Sequence, residues 1–386
     1  MKRTNCRGCR SHQIRLVYDY GLQPLAGNFP LKPENEEPAE RYPLDLSQCK
    51  KCGLLQVTNL PPVESVFHDN YRYSSSTIPA LTRHFNEYAD WLAQRLPSGA
   101  TVLEFGCNDG ILLSFLCKKG ISCVGIDASD NVAELARKKG LKVYTGFMTT
   151  ALIEEHRLQG KHDLVTCSNV FAHIDDLQST LSAVRSSLKP NGLFVVEVHD
   201  ADALIRETQF ETVYHEHLTY FTERTLRRLL EVEGFRFVEC SRTLMHGGAL
   251  RIITKLEGKY HEPPPDINRS ELICGNTFKE AIERCIADIR NARREYGQLD
   301  GFGAAGRAQM FVNITNTADC FRQVFDDSTL RQNRYIVGTN IPIRGFEEPV
   351  GDACLILAWN YAKDISVRIK NYYKFTFTVL PKKVQW

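Results

Sequence analysis

Residues 101–110 read Thr101-Val-Leu-Glu-Phe105-Gly106-Cys-Asn-Asp-Gly110, a short apolar strand that runs directly into a turn with two glycines. Such glycines let the backbone pass close to a ligand, and free amides at the start of the next helix face that ligand. The following predicted strand ends in Asp127, where an acid can hold the ribose hydroxyls of a nucleoside. The spacing is Gly-x-x-x-Gly rather than the dinucleotide pattern Gly-x-Gly-x-x-Gly. This stretch therefore predicts a βα turn that binds a nucleoside.

Apolar runs and helical segments alternate around this turn. The predicted strands are 101–105, 122–126, 163–167 and 193–198, and the helices between them are 111–119, 132–139 and 177–188. A helix at 225–233 and strands at 235–239 and 249–254 follow. This order predicts an α/β fold with an open parallel sheet.

Composition excludes several classes of protein. The chain has 386 residues, 43% of them hydrophobic, and a net charge of +2, which gives no pull toward nucleic acid or anionic membranes. It lacks both a run of about 20 apolar residues and the apolar core of a signal peptide. We therefore expect a cytoplasmic protein without a nucleic-acid or membrane partner, and monomer and homodimer both remain open.

Four of the 13 cysteines form two C-x-x-C knuckles, whereas the others are scattered in apolar contexts that suit reduced thiols. Cys6 and Cys9 make the first knuckle, and Cys49 and Cys52 make the second. Each pair has the spacing of a tetrahedral zinc site, and the alternatives are unliganded cysteines or a redox pair. Four thiolates would fill the coordination sphere, so we predict a structural zinc that folds a segment poor in helical periodicity.

Three domains are predicted along the chain. Residues 1–75 form the zinc-binding domain, residues 76–260 the large α/β domain, and residues 261–386 a smaller Rossmann-like domain. The last begins near the proline-rich segment 261–266, and a long helix over 271–296 follows it. Short strands are predicted at 298–302, 323–327, 354–359 and 375–380.

A second glycine-rich loop lies in the C-terminal domain. Gly301-Phe-Gly303-Ala-Ala-Gly306 follows a predicted strand, with Asp326 and Asp327 about 20 residues later, which satisfies the dinucleotide fingerprint. Alone, this loop would indicate a nicotinamide-dependent oxidoreductase. The motif has a high false-positive rate by itself, so we keep that activity as an alternative.

The first glycine turn resembles the motifs of class I S-adenosylmethionine-dependent methyltransferases. Glu104, Gly106 and Gly110 match the loop around the methionine part of the cofactor, and Asp127 matches the ribose acid. The resemblance implies a methyltransferase Rossmann-like domain. The cofactor-binding residues that it implies are Glu104, Gly106, Asn108, Gly110, Asp127, Ala128, Phe147 and Asn169.

Tyr214-His-Glu-His217 is the densest cluster of proton-handling side chains in the chain. A metal site is one interpretation, because His215 and His217 would share a face on a strand, but no third ligand lies near them at familiar spacing. Proton transfer is the other interpretation.

Together with the knuckles and the second α/β domain, this cluster resembles the sugar C-methyltransferases, which methylate carbon in nucleotide-linked 4-keto-6-deoxysugars. The match covers nearly the whole chain. It implies five active-site residues, namely Asn169, His173, Tyr214, Glu216 and His217. It implies a substrate-side tyrosine at Tyr71 or Tyr73, and Arg307 and Asn340 are further candidate substrate contacts. The family usually has lysine and histidine at the last two positions, which puts substrate details in doubt.

The implied reaction explains these residue types. A sugar carbon has no lone pair until the proton α to the ketone is removed, so a base is obligatory. His217 is the predicted base, and Glu216 orients it or binds a sugar hydroxyl. Tyr214, His173 and Asn169 are predicted to donate hydrogen bonds to the enolate oxygen. The sequence leaves open methylation at C3 or C5, and an O- or N-methyltransferase remains an alternative.

Overall fold

The computed structural model describes residues 2–62, 79–347 and 351–385. The strands of this part are β1 Ile14–Pro24, β2 Arg41–Cys49, β3 Leu55–Gln56, β4 Thr101–Phe105, β5 Ser122–Asp127, β6 Val143–Thr145, β7 His162–Ser168, β8 Leu188–His199, β9 Thr219–Tyr220, β10 Phe235–Thr243, β11 Ala249–Leu256, β12 Leu299–Phe302, β13 Phe321–Phe325, β14 Arg334–Tyr335, β15 Pro342–Arg344, β16 Ala353–Ile356, β17 Phe375–Thr378 and β18 Val384–Gln385.

Ten α-helices lie in the same described ranges. They are α1 Pro79–Ala93, α2 Ile111–Lys118, α3 Asp130–Lys138, α4 Thr150–Glu155, α5 Leu177–Ser187, α6 Ala201–Glu207, α7 Glu223–Val232, α8 Asn276–Tyr296, α9 Gly306–Thr315 and α10 Ala362–Ile369. None of these helices combines the length and the apolar character that crossing a bilayer requires.

The central sheet has seven strands in the order β10-β11-β8-β7-β4-β5-β6. Strands β4 to β8 run parallel, while β11 is antiparallel to β8 and β10 is antiparallel to β11. The direction of winding reverses between β4 and β7, which opens a crevice at the carboxyl ends of the strands. The predicted α/β sheet is confirmed, and Thr101–Phe105 is its central strand β4.

A second seven-stranded sheet fills the C-terminal part, in the order β14-β15-β13-β12-β16-β17-β18. Its five inner strands are parallel, with an antiparallel strand at each edge. Their order, β15-β13-β12-β16-β17, reverses between β12 and β16, so this sheet also has a crevice at its carboxyl edge. The prediction of a second, smaller Rossmann-like domain is confirmed in architecture.

The N-terminal sheet is antiparallel and joins two parts of the chain that are distant in sequence. Strands β1, β2 and β3 come from the N-terminal segment, but its fourth strand is β9, which begins two residues after His217. Leu55 pairs with Tyr220 and Gln56 with Thr219. The N-terminal unit is therefore completed by the segment that carries the proton-handling cluster.

A buried ion network fastens α1 to the central sheet. Arg251 on β11 stands directly opposite Glu197 on β8, and its Nε donates to Glu197 Oε2 at 2.9 Å. His84 Nε2 on α1 lies 2.7 Å from the other carboxylate oxygen, and the Arg251 guanidinium stacks 3.8 Å from the ring centroid of Tyr88. These partners hold the pKa of Glu197 below its usual value although its burial raises it. A charge of this kind is tolerated only while its partners remain.

Replacing Arg251 with methionine leaves the Glu197 carboxylate buried without its cation. We expect Arg251→Met to lower the free energy of unfolding by about 3–5 kcal/mol, measured by chemical denaturation. Arg236→Met is the control, since its partner is Glu257 in an exposed pair. Arg236→Met should lower the free energy of unfolding by less than about 1 kcal/mol. Equal losses in the two variants would contradict the network's role.

Candidate active site

The glycine turn after β4 forms the floor of the crevice. Gly106 has a φ of 65°, and a Cβ at this position would lie 2.1 Å from Cγ2 of Val170. Glycine is therefore required here both for the backbone conformation and for the close approach of the loop after β7. Gly110 and Asn108 also have positive φ, of 73° and 50°. The turn thus bends tightly before α2 begins at Ile111.

Two carboxyl groups line this turn. Asp127, at the end of β5, accepts hydrogen bonds from the amides of Asn108 at 2.7 Å and Ser129 at 2.9 Å. Glu104 is buried, and no hydrogen bond within the described residues reaches its Oε2. Burial raises the pKa of Glu104, and the neighbouring Asp127 and Asp109 raise it further. A cationic ligand would relieve this repulsion, as the ammonium and sulfonium groups of S-adenosylmethionine would.

The other predicted cofactor residues follow neighbouring strands of the same sheet. Ala128 is exposed directly after β5, and Phe147 follows β6 with 63% of its side chain exposed. Asn169 follows β7 with a φ of 57°, and its amide donates to the Glu197 carbonyl at 2.8 Å. The structure therefore brings all eight predicted positions to the carboxyl ends of β4 to β7. Their contacts with the cofactor stay a prediction.

The four knuckle cysteines converge on one point. Their sulfur atoms all lie within 4.8 Å of one another, with Cys6 Sγ 3.5 Å from Cys52 Sγ and Cys9 Sγ 3.6 Å from Cys49 Sγ. A tetrahedral zinc with bonds of about 2.3 Å would separate its sulfurs by about 3.8 Å. The arrangement fits four thiolates around one zinc, which leaves no position for a reactant.

The Tyr214–His217 cluster lies on a tight turn and not on a strand. The His217 amide donates to the Tyr214 carbonyl at 3.0 Å, which closes the turn. Tyr214 Oη is consequently 2.7 Å from His217 Nε2, and the two ring centroids are 4.0 Å apart. The His215 side chain points away from that of His217, because its Nε2 hydrogen-bonds to the Pro43 carbonyl of β2 at 3.2 Å. His215 and His217 therefore do not form a shared metal site.

Burial sets the protonation of His217. It holds the pKa of His217 well below its usual value, and His173, His199 and Arg307 lower it further. The Thr212 carbonyl, as an acceptor for the ring, partly opposes this lowering of the pKa. With the ring proton on Nδ1, the Nε2 lone pair accepts from the Tyr214 hydroxyl. His217 is a neutral imidazole with a basic nitrogen at neutral pH.

His173 and Glu216 brace the turn. His173 Nδ1 donates to the Glu216 carbonyl at 2.5 Å, and the His173 and His217 rings are 4.8 Å apart. Glu216 Oε1 accepts from the Gly27 amide at 2.8 Å, whereas no hydrogen bond within the described part of the chain reaches Oε2. Burial raises the pKa of Glu216. Its carboxyl does not hydrogen-bond to His217, which is oriented by Tyr214 and Thr212 instead.

Arg307 joins the C-terminal domain to the wall of this crevice. Its guanidinium forms an ion pair with the buried Glu211, and Nη1 donates to the His246 carbonyl at 2.6 Å. Trp359 Nε1 donates to the same Glu211 carboxylate at 2.9 Å. His199, which ends β8, bonds through Nε2 to Gln209 Oε1 at 2.8 Å, and burial lowers its pKa to about 3. Arg307 therefore lies in a polar wall beside the Tyr214–His217 turn.

The remaining predicted substrate residues are placed differently. Asn340 Oδ1 accepts from the Asn35 amide at 3.0 Å, so it contacts the N-terminal domain. Tyr71 and Tyr73 lie outside the described residues.

Sequence reasoning missed Glu211, Trp359, Gln209 and Arg7. Arg7, between two zinc ligands, is fully buried and donates to the carbonyls of Val57 at 2.7 Å and Leu218 at 3.1 Å. The only sequence signal for Arg7 is its position between two knuckle cysteines. From sequence alone, an arginine in such a loop is expected to be exposed to solvent. Glu211 precedes the cluster by three residues and carried no motif.

Three family models match successive parts of the chain. A model described as "Methyltransferase domain" matches residues 81–240, "Putative zinc binding domain" matches residues 6–67, and "C-methyltransferase C-terminal domain" matches residues 274–379. With the cysteine cluster, they define an S-adenosylmethionine-dependent methyltransferase with a structural zinc centre.

Comparison with individual proteins narrows this class. The C-methyltransferase NovU of Streptomyces niveus is 32% identical over 383 residues, which cover 93% of this chain and 90% of that protein. This chain belongs to the same C-methyltransferase family. The ubiquinone biosynthesis O-methyltransferase of Erwinia tasmaniensis is 32% identical over 108 residues, 27% of this chain and 44% of that enzyme. A solved methyltransferase from Archaeoglobus fulgidus is 18% identical with a TM-score of 0.38, covering 45% of this chain and 94% of its own.

The cysteine cluster gives a direct test of metal content. We expect one zinc per chain by atomic emission in the native protein, and Cys6→Ser should lose it because a hydroxyl is a poor zinc ligand. Cys354→Ser is the control, since Cys354 is equally buried in β16 but far from the cluster in the C-terminal sheet. Retention of stoichiometric zinc by Cys6→Ser would contradict the four-thiolate centre.

Proposed function

We propose that this protein transfers a methyl group from S-adenosylmethionine to the carbon α to the ketone, C3 or C5, of a nucleotide-linked 4-keto-6-deoxysugar. The observation that carries the proposal is the Tyr214–His217 pair, a neutral imidazole with its basic nitrogen 2.7 Å from a phenol. The family match supports carbon as the acceptor, since NovU is a C-methyltransferase.

Carbon methylation requires a base that oxygen or nitrogen methylation can do without. The bound cofactor supplies an electrophilic methyl group on its sulfonium. An α-carbon becomes nucleophilic only when its proton leaves and charge passes to the ketone oxygen. The site must therefore hold a basic group near the carbon and a hydrogen-bond donor near the oxygen.

His217 and Tyr214 supply both functions. The Tyr214 hydroxyl can rotate about its C–O bond, away from His217 Nε2 and toward the ketone oxygen of a bound sugar. That rotation frees the Nε2 lone pair to accept the α-proton. The Thr212 carbonyl, which raises the pKa of His217, then stabilises the imidazolium that forms. Enolate charge is held by the phenol, where stabilisation is most effective.

Glu216 is best suited to binding a sugar hydroxyl. Its Oε1 is fixed by Gly27, while Oε2 is a buried acceptor that no donor within the described ranges reaches. A substrate hydroxyl would supply the missing donor. His173 uses Nδ1 to hold the Glu216 carbonyl, so we assign it to positioning the turn rather than to the enolate. Asn169, in the loop after β7, remains a candidate donor to that oxygen.

The alternatives are less well supported. An O- or N-methyltransferase has no need of the Tyr214–His217 pair. A nicotinamide-dependent oxidoreductase is disfavoured by the methyltransferase family, since this chain matches it along nearly its whole length.

Substitution of the base tests the proposal. We expect His217→Asn to reduce exchange of the α-proton of a nucleotide-linked 4-keto-6-deoxyglucose into deuterated buffer by about 10²–10⁴-fold, because the proton acceptor is gone. S-adenosylmethionine affinity, measured by calorimetry, should persist. His215→Asn is the matched control, since His215 faces Pro43 and should leave exchange unchanged. Undiminished exchange in His217→Asn would remove the base assignment.

The protonation of His217 predicts the pH dependence. A lowered pKa keeps the imidazole unprotonated down to acidic pH, and activity falls only when pH drops through that lowered value. We therefore expect kcat/KM for methyl transfer to be flat through pH 6.5 and to decline well below it. A decline centred near 6.5, the usual histidine value, would show that the base is not buried as described.

A further inference from the structure

The glycine-rich loop Gly301–Gly306 has no role in the proposed chemistry, although it satisfies the dinucleotide fingerprint. Gly303 has a φ of 93°, and a Cβ there would lie 2.5 Å from Cβ of Ala358. The loop therefore turns as tightly as a nucleotide loop. A Cβ on Gly306, however, would be 3.5 Å from Cβ and 3.6 Å from the carbonyl oxygen of Ala26. The surface that would face a pyrophosphate faces the chain's own N-terminal domain.

Asp326, the acidic residue of this second crevice, already has partners within the protein. Asp326 accepts from the amides of Ala304 at 2.7 Å and Ser328 at 2.8 Å. Both of its oxygens are 3.3 Å from Arg331 Nη1, and the Arg331 guanidinium lies 5.6 Å from the ring centroid of Phe29. Residues 26–29 thus follow the crevice from its glycine loop to its acid.

Gln309 fastens this segment in place. The side chain is fully buried on α9, three residues after Gly306. Its Nε2 donates to the Ala26 carbonyl at 2.6 Å, and its Oε1 accepts from the Val337 amide at 2.8 Å. Both ends of the amide are used, so the side chain has one orientation.

Gly27, the next residue of the segment, contacts the Tyr214–His217 turn. The Gly27 amide donates to Glu216 Oε1 at 2.8 Å. We propose that the second nucleotide-type crevice is an internal socket for residues 26–29, and that Gln309 is a positioning residue that aims Glu216 at the substrate through Ala26 and Gly27. This inference rests on the proposed function, in which Glu216 binds a sugar hydroxyl.

The socket has a measurable effect on Glu216. Burial raises the pKa of this carboxyl, and the Gly27 amide opposes that rise because it bonds to the charged form. Releasing Ala26 from Gln309 should let Gly27 retreat, and the pKa of Glu216 should then rise further. A residue with only a structural role in α9 would not move that pKa.

The experiment titrates Glu216 in the full-length, zinc-loaded protein. The carbon-13 resonances of labelled glutamate carboxyls are followed against pH, and Glu216→Gln identifies the Glu216 signal by its loss. We expect Gln309→Met to shift the Glu216 midpoint upward and to lower kcat about 10- to 100-fold. The affinity for S-adenosylmethionine should stay within about twofold, since the first crevice is untouched.

Thr315→Val is the matched control. Thr315 is buried on the same helix, and its hydroxyl donates to the Phe311 carbonyl and does not contact residues 26–29. It should leave the Glu216 midpoint unchanged. If Gln309→Met does not fold, Gly306→Val tests the socket from the other side, because its methyl groups would press on Ala26. An unmoved midpoint in whichever of these two variants folds would overturn the inference.

The titration requires no sugar acceptor, so its outcome is separate from that of the proposed function. A shifted midpoint with no methylated carbon in the product would refute the function and keep the socket. Titration of the native protein with NADH gives a further check. We expect no fluorescence change at millimolar concentrations, and saturable micromolar binding would overturn the socket, because residues 26–29 would have to leave the crevice.

Discussion

The hydrogen bonds of Leu218 hold the Tyr214–His217 turn between the N-terminal unit and the methyltransferase domain. Its amide donates to the Ala172 carbonyl at 2.8 Å, and its own carbonyl accepts from the Val57 amide and from Arg7, each at 3.1 Å. Arg7 belongs to the first zinc knuckle, and His217 directly precedes Leu218. The first zinc knuckle is thus linked through Arg7 and Leu218 to His217, the proposed base. A zinc bound by these cysteines would take no part in the chemistry but would help to position the proposed base, because catalytic groups must be held within about 0.5 Å.

The N-terminal unit is closely packed against the methyltransferase domain, as these hydrogen bonds of Leu218 require. Three of its zinc ligands, Cys6, Cys49 and Cys52, pack in the same apolar cluster as Leu177 and Phe221 of the methyltransferase domain. Strand β9 completes its sheet. The Tyr214–His217 turn is therefore held by hydrogen bonds to both the N-terminal unit and the methyltransferase domain.

Local patterns predicted most of the fold, and long-range contacts account for what they did not predict. The alternation of apolar runs gave β4 at its observed bounds and both Rossmann-like sheets, since period and turn signals are local. The convergence of four cysteines followed from spacing alone. Strand β9 has only two residues, and its partner β3 lies over 160 positions earlier. No local sequence pattern could therefore predict this pairing. The turn at Tyr214–His217 could not be predicted for the same reason. It is fixed by the Gly27 amide, which donates to Glu216, and by the carbonyls of Pro43 and Ala172, which accept from His215 and Leu218.

The two crevices show why a motif alone does not define a site. In both, an acid at the end of the second strand accepts the loop amide at 2.7 Å and a following serine amide, as Asp127 and Asp326 do. The backbone device is the same, but the charge around it differs. Near Asp127 the neighbour is Glu104, whose pKa is raised by that acid, so the crevice favours a cation. Near Asp326 the neighbour is Arg331, and Ala26 packs against Gly306. A ligand with a sulfonium suits the first crevice. In the second crevice, Arg331 already neutralises the acid, and residues of the chain's own N-terminal domain occupy the space beside the glycine loop.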